Sequence, residues 1–182
     1  MSFSVSYLFV FIAVSIIWII VRVIIGMEKN SVDILKELKL LTLYVCLVVI
    51  VRITFFPWNL IDGHIQPLIF DSEQIFPPKL NLIPIIHLFD EYDGWLKNLF
   101  GNITMFIPVG MALPFCFNKL DNIGKVTLSG FLLSLCIELL QLPFFDRTTD
   151  IDDLITNTTG AFIGAVLYFL IRAIVRKQKH SA

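Results

Sequence analysis

Five stretches of mainly apolar residues, separated by shorter segments rich in charge or proline, recur along the chain. A helix needs about 20 apolar residues to cross the hydrocarbon core of a bilayer, and each stretch comes close to that length. The pattern predicts an all-α fold, a polytopic bundle of five transmembrane helices forming a single integral membrane domain over residues 1–182. The predicted spans are residues 3–25, 39–56, 98–117, 125–145 and 153–172.

The longest break between spans, residues 57–97, mixes six acidic residues with scattered leucine, isoleucine and phenylalanine. A segment of this length without periodicity is typical of a functional loop, and its apolar content favours packing on the bundle or dipping into the membrane interface. A mobile loop with incidental apolar residues is the alternative. The sequence does not fix its conformation.

Composition supports a membrane protein and excludes an ordinary soluble domain. Hydrophobic residues make up 57% of the chain and charged residues 16%, whereas soluble domains have about 25% charged residues. The formal net charge of −1 gives no reason to expect a nucleic acid partner. The three cysteines lie in apolar runs without a CxxC spacing, and no glycine-rich phosphate-binding loop is present, so we expect neither a metal site nor a cofactor.

The distribution of lysine and arginine predicts the orientation, because basic residues that flank spans tend to stay cytoplasmic. With the N-terminus outside and the C-terminus cytoplasmic, ten of the 14 basic residues lie on the inner side and four lie outside. The loop between helices 2 and 3 is then extracytoplasmic.

Four of the predicted spans carry a polar residue at a similar depth, about 6 to 10 Å below the outer end of the helix. These residues are Arg52, Asn102, Glu138 and Asn157. A charged side chain at mid-membrane costs about 2.5–3.5 kcal/mol on insertion scales, so we expect the four to face one another rather than lipid. We predict an ion pair between Arg52 and Glu138 inside a polar pocket that opens to the outside.

Helical spacing extends this pocket towards the membrane surface. Residues three or four apart share a helix face, which adds Asn98, Gln141 and Asp153, and the connection before helix 5 adds Arg147, Asp150 and Asp152. An alternative interpretation of this connection is an ion-paired turn in which Asp150 or Asp152 caps helix 5.

Small residues recur on the fifth span, at Gly160, Ala161, Gly164 and Ala165. Such spacing lets the backbone of a neighbouring helix approach closely, so this face is predicted to serve packing.

Several short segments with fixed order and spacing resemble the VanZ-like family over residues 40–172. They are Asn81-Leu82-Ile83-Pro84, Asn98-Leu99-Phe100-Gly101-Asn102-Ile103, Glu138-Leu139-Leu140-Gln141, Asp150-Ile151-Asp152-Asp153 and Asn157-Thr158-Thr159-Gly160. The resemblance implies a small multi-pass protein of the bacterial cytoplasmic membrane and adds Asn81 to the pocket. The family's namesake is associated with resistance to the lipoglycopeptide teicoplanin, so the resemblance also implies a contribution to glycopeptide resistance. It implies no reaction.

Three functions fit these observations. The pocket could bind an amphipathic ligand, either a lipid-linked cell-wall precursor or the lipoglycopeptide itself, with membrane lipids as further partners. The protein could instead be an intramembrane enzyme acting on such a precursor, with Glu138 as general acid or base. It could also be a scaffold without a ligand. The sequence leaves the oligomeric state open.

Overall fold

The computed structural model describes residues 2–29, 33–57, 60–76, 78–81, 83, 95–145 and 147–181. Five helices in these ranges are each long and apolar enough to cross a membrane, which confirms the predicted all-α membrane fold. The helices are α1 (Tyr7–Lys29), α2 (Ile34–Phe55), α3 (Trp95–Cys116), α4 (Ile123–Gln141) and α5 (Ile151–Ser181).

Several helix ends differ from the predicted spans, and local chemistry explains two of them. Helix α2 begins earlier, at Ile34, because the side chain of Asp33 accepts a hydrogen bond from the Lys36 amide at 3.2 Å and caps the helix. Helix α4 ends at Gln141 rather than near residue 145, since Pro143 disfavours helical geometry at the residue before it. Helix α5 continues to Ser181, through the basic residues that follow the predicted span.

Short strands and one 3-10 turn account for the rest of the described regular structure. The 3-10 turn is Ser72–Ile75, and the strands are β1 (Ser2–Val5), β2 (Leu60–Ile61), β3 (His64–Ile65), β4 (Leu68–Asp71), β5 (Leu80–Asn81) and β6 (Thr149–Asp150). Strand β1 occupies residues predicted to start the first span, and it pairs antiparallel with β4. Strands β2 and β3 form a hairpin whose turn residues, Asp62 and Gly63, both have positive φ.

The chain divides into two compact units. The first unit comprises Met1–Lys79 and Leu140–Thr149, and the second comprises Leu80–Leu139 and Asp150–Ala182. A single domain over the whole chain stays a prediction.

In the first unit, aromatic side chains pack near the end of α2. The ring of Phe144 lies edge-on to Phe55 at 6.0 Å and to Phe70 at 6.1 Å between centroids. The backbone also joins the two segments, because the Phe145 amide donates to the Ile69 carbonyl at 2.9 Å. Part of the long loop therefore packs on this unit as an ordered strand.

In the second unit, α3 packs closely against α5. A Cβ atom placed on Gly160 would overlap the Ile103 carbonyl oxygen, and one placed on Gly164 would overlap the Ile107 carbonyl oxygen. The side chains of Phe106 and Ala161 are fully buried. The predicted packing role of the small residues on α5 is thus confirmed.

Candidate functional site

The predicted pocket residues divide between the two units. Arg52, Gln141 and Arg147 belong to the first unit, and the second unit contains Asn81, Asn98, Asn102, Glu138, Asp150, Asp152, Asp153 and Asn157. The predicted Arg52–Glu138 ion pair and the single chamber containing all of these residues would span both units, so they stay predictions.

In the second unit, Asp150 connects three segments of the chain at the start of α5. Its Oδ1 atom accepts a hydrogen bond from the Asp152 amide at 2.9 Å, and its Oδ2 atom accepts one from the Asn81 side chain at 3.1 Å. Its backbone N–H donates to Oε2 of Glu138 at 3.0 Å. Asp150 therefore caps α5, as the alternative interpretation proposed. It also hydrogen-bonds to two other predicted pocket residues, Asn81 and Glu138.

Glu138 lies on α4 and is almost completely buried, with 3% of its surface exposed. A carboxyl group withdrawn from water is costly unless it accepts hydrogen bonds, and the Asp150 amide supplies one. Asp152 is buried as well. Acidic side chains are thus enclosed at the start of α5, where the helix N-terminus favours negative charge.

A second contact joins α3 to α5. The Asn102 side chain donates from Nδ2 to Oδ1 of Asp153 at 2.6 Å. The depth count predicted Asn102 and Asn157 at one level, and the observed hydrogen bond joins Asn102 to Asp153, which lies four residues before Asn157 on α5. Asn98, four residues before Asn102 on α3, is exposed.

Deeper along α5, Asn157 faces α4. Its Nδ2 atom donates to Oγ of Ser134 at 3.0 Å, and both residues are buried. The Oδ1 atom of Asn157 is also buried and has no hydrogen-bond partner among the described residues. Ser134 is not among the predicted site residues, although it lies four residues before Glu138 and so on the same face of α4.

We call these residues the polar cluster: Asn81, Asn102, Ser134, Glu138, Asp150, Asp152, Asp153 and Asn157. The cluster combines carboxyl acceptors with amide groups that both donate and accept. Such a set can recognise a ligand rich in hydroxyl and amide groups. Among the described residues, no group of three or more histidine, cysteine, aspartate or glutamate side chains is placed to hold a metal ion.

In the first unit, the three predicted pocket residues bind the C-terminal end of α2. Gln141 donates to the Thr54 carbonyl at 2.7 Å, and Arg147 donates to the Phe55 carbonyl at 2.8 Å. Arg52 donates to the carbonyls of Phe56 at 3.3 Å and Pro57 at 3.0 Å, which directly follow α2. The last carbonyls of a helix have no partner within the helix, and positive charge is favourable there, so these side chains stabilise the end of α2.

Comparison with known proteins agrees with the resemblance. The family model described as VanZ/LLP1 matches residues 41–172. Protein VanZ from Enterococcus faecium is 34% identical over 101 residues, which cover 56% of this chain and 59% of that protein. No solved structure matches.

The match to the family model covers most of the chain and includes α3, α4 and most of α2 and α5. Together with the five apolar helices, it identifies a multi-pass membrane protein. The chain belongs to the VanZ/LLP1 family.

Proposed function

We propose that this protein contributes to resistance against teicoplanin-type glycopeptides by binding an amphipathic cell-envelope ligand at the polar cluster. The ligand is a lipid-linked cell-wall precursor or the lipoglycopeptide itself. The proposed setting is the bacterial cytoplasmic membrane, with the N-terminus and the cluster on the outer side and the C-terminus in the cytoplasm.

The observation that carries this proposal is the buried amide of Asn157, whose oxygen has no hydrogen-bond partner among the described residues. Leaving a buried polar atom unsatisfied costs about 1–3 kcal/mol. A water molecule would satisfy this oxygen in the free protein. In the complex, a polar group of the ligand would take the place of that water.

The remainder of the cluster supports the same proposal. Polar residues inside membrane spans are costly, and they commonly mark ligand or ion pathways. Helix packing does not require them here, because Gly160 and Gly164 already provide the close contact between α5 and α3. A function in ligand recognition explains why carboxyl and amide groups are buried beside that contact.

The chemistry of the proposed ligand matches its surroundings. A cell-wall precursor or a lipoglycopeptide has a head group rich in amides and hydroxyls, which can exchange hydrogen bonds with the cluster. Its hydrocarbon tail would stay in the hydrocarbon core of the bilayer around the helices. The Enterococcus faecium relative and the family resemblance support the link to teicoplanin.

The test is to express the protein in a glycopeptide-sensitive bacterium and to measure the minimum inhibitory concentration of teicoplanin. We expect the wild-type protein to raise this value and Glu138→Ala to return it to that of the host alone. Leu139→Ala, which alters the adjacent lipid-exposed residue, should retain the full effect. Full resistance in Glu138→Ala at equal abundance in the membrane would refute the proposal.

A further inference from the structure

A groove lies between α1 and α2 in the first unit, away from the residues that end α2. Its volume is about 890 Å³, which is within the range of small-molecule sites. Aliphatic and aromatic side chains line most of it, including Trp18 and Ile19, and a charged pair lines one end.

The charged end is formed by Arg22 and Glu37. The Arg22 Nε atom donates to Oε2 of Glu37 at 2.8 Å, and its Nη2 atom pairs with Oε1. Their side chains remain 19% and 32% exposed. Because a guanidinium group has five N–H donors and these contacts engage two, Arg22 keeps donors for an additional acceptor.

The opposite part of the groove is closed by a polar contact that is satisfied internally. The hydroxyls of Ser15 and Tyr44 are hydrogen-bonded at 2.7 Å, and the Trp18 ring lies 5.5 Å from the Tyr44 ring. This part therefore presents mainly apolar surface. Between Ser15 and Arg22 the groove follows seven residues of α1, or about 10 Å, and this apolar stretch suits part of an extended hydrocarbon chain.

We propose that this groove binds a phosphate-bearing membrane lipid, with its hydrocarbon chain along Trp18 and Ile19 and its phosphate at Arg22. Both walls belong to helices apolar enough to span a membrane, so the occupant must itself reside in hydrocarbon. Arginine binds phosphate through short, charge-assisted hydrogen bonds. The polar end and the apolar length of the groove thus match the two parts of one lipid.

This groove shares no residue with the polar cluster. Eight of its ten lining residues precede the region that matches the family model, which begins at residue 41, and Leu41 and Tyr44 lie just inside that region. Lipid binding here is therefore proposed for a part of the chain mostly outside the VanZ/LLP1 match, and it does not depend on the proposed function.

The test is native mass spectrometry of the full-length purified protein with equal amounts of three lipids: phosphatidylglycerol, an isoprenoid phosphate, and a diacylglycerol with the same acyl chains as the phosphatidylglycerol. We expect one or both phosphate lipids to be retained about tenfold more than the diacylglycerol. Whichever is retained better identifies the source of the phosphate.

Two variants of adjacent residues localise the binding. Ile19→Trp fills the groove and should lower retention of the phosphate lipid about tenfold, whereas Ile20→Trp, on a residue that does not line the groove, should leave retention unchanged. If Ile19→Trp loses helicity by circular dichroism, Leu41→Phe fills the groove from α2 instead.

The double variant Arg22→Gln with Glu37→Gln separates lipid recognition from a purely structural ion pair. The two amides can still hydrogen-bond to each other across α1 and α2, but no cation remains among the described residues that line the groove. We expect the preference for phosphate lipid over diacylglycerol to disappear while the protein stays folded. Absence of that preference in the wild type, or equal retention by Ile19→Trp and Ile20→Trp, would overturn the proposal.

Discussion

The side-chain amide of Asn102 donates a hydrogen bond to the carboxyl group of Asp153 over 2.6 Å, and this bond joins α3 to α5. Hydrogen bonds between helices help to hold membrane bundles together, because lipid offers polar side chains no other partner. In this protein the bond lies in the same cluster as the contact between Glu138 and Asp150.

Removing this bond should destabilise the second unit. We expect Asn102→Ala to lower the free energy of unfolding by about 1–2 kcal/mol, measured by denaturant titration in detergent. Asp153→Ala should do the same, and the double variant should lose less than the sum of the two single variants. Strict additivity in this double-mutant cycle would show that the two side chains do not interact.

Close packing of α5 on α3 gives a second prediction. Gly160→Ala places a Cβ atom against the Ile103 carbonyl oxygen, and because backbone cannot move aside cheaply, we expect a loss of about 1–3 kcal/mol in unfolding free energy. The control is Gly101→Ala on α3, where an added Cβ meets nothing within 4 Å. That variant should be neutral or stabilising by up to about 1 kcal/mol, since alanine favours helix over glycine. Equal effects of the two variants would contradict the packing.

The end of α2 gives a third prediction. Gln141 is buried and donates to the Thr54 carbonyl, so Gln141→Leu should cost about 1–3 kcal/mol by leaving that carbonyl without its partner. Gln141→Glu keeps the size of the side chain but turns a carboxyl oxygen towards the carbonyl. Because two acceptors then face each other, the loss of unfolding free energy should be larger than in Gln141→Leu at neutral pH. Thermal unfolding of the wild type and the two variants in the same detergent measures their order of stability. Equal stability of all three would exclude a capping role.

The short connection between α3 and α4 gives a prediction about protonation. The Lys125 ammonium donates to Asp121 at 2.7 Å, and this hydrogen bond lowers the pKa of the Asp121 carboxyl below its usual value. A carboxyl pKa that is lower in the folded state contributes stability above the unfolded-state pKa, and that stability is lost as the pH falls through the folded-state pKa. Nuclear magnetic resonance titration should show the pKa of Asp121 rising towards its usual value in Lys125→Met. An unchanged titration would show that the pair does not persist in solution.

Much of the fold was predictable from sequence because hydrocarbon imposes a simple requirement on each span. Length and hydropathy were sufficient to predict all five helices. The end of α4 was missed although Pro143 gave a local signal for it. The pairing of β1 with β4 brings together residues more than 60 positions apart, and no local pattern specifies such a partner.

The positions of polar residues within the spans could be read from the sequence, whereas their hydrogen-bond partners could not. Counting depth and helix faces selected Asn102, Glu138 and Asn157, because an uncompensated polar group in a span is costly whatever it contacts. Gln141 and Arg147 bind carbonyls at the end of α2 in the first unit. Any helix end leaves its last carbonyls without a partner in the helix, and the sequence does not specify which distant side chain will bind them. Ser134 was missed because a single serine costs little free energy in a membrane span and so does not indicate a buried polar partner.

Binding of fluorescently labelled teicoplanin and of a labelled lipid-linked cell-wall precursor to the purified protein tests the central claim most directly. We predict that at least one of these probes binds saturably, and that Glu138→Ala weakens its binding about tenfold or more while Leu139→Ala leaves it unchanged. Absence of saturable binding by both probes, or equal affinity in wild type and a folded Glu138→Ala variant, would contradict a ligand site at the polar cluster.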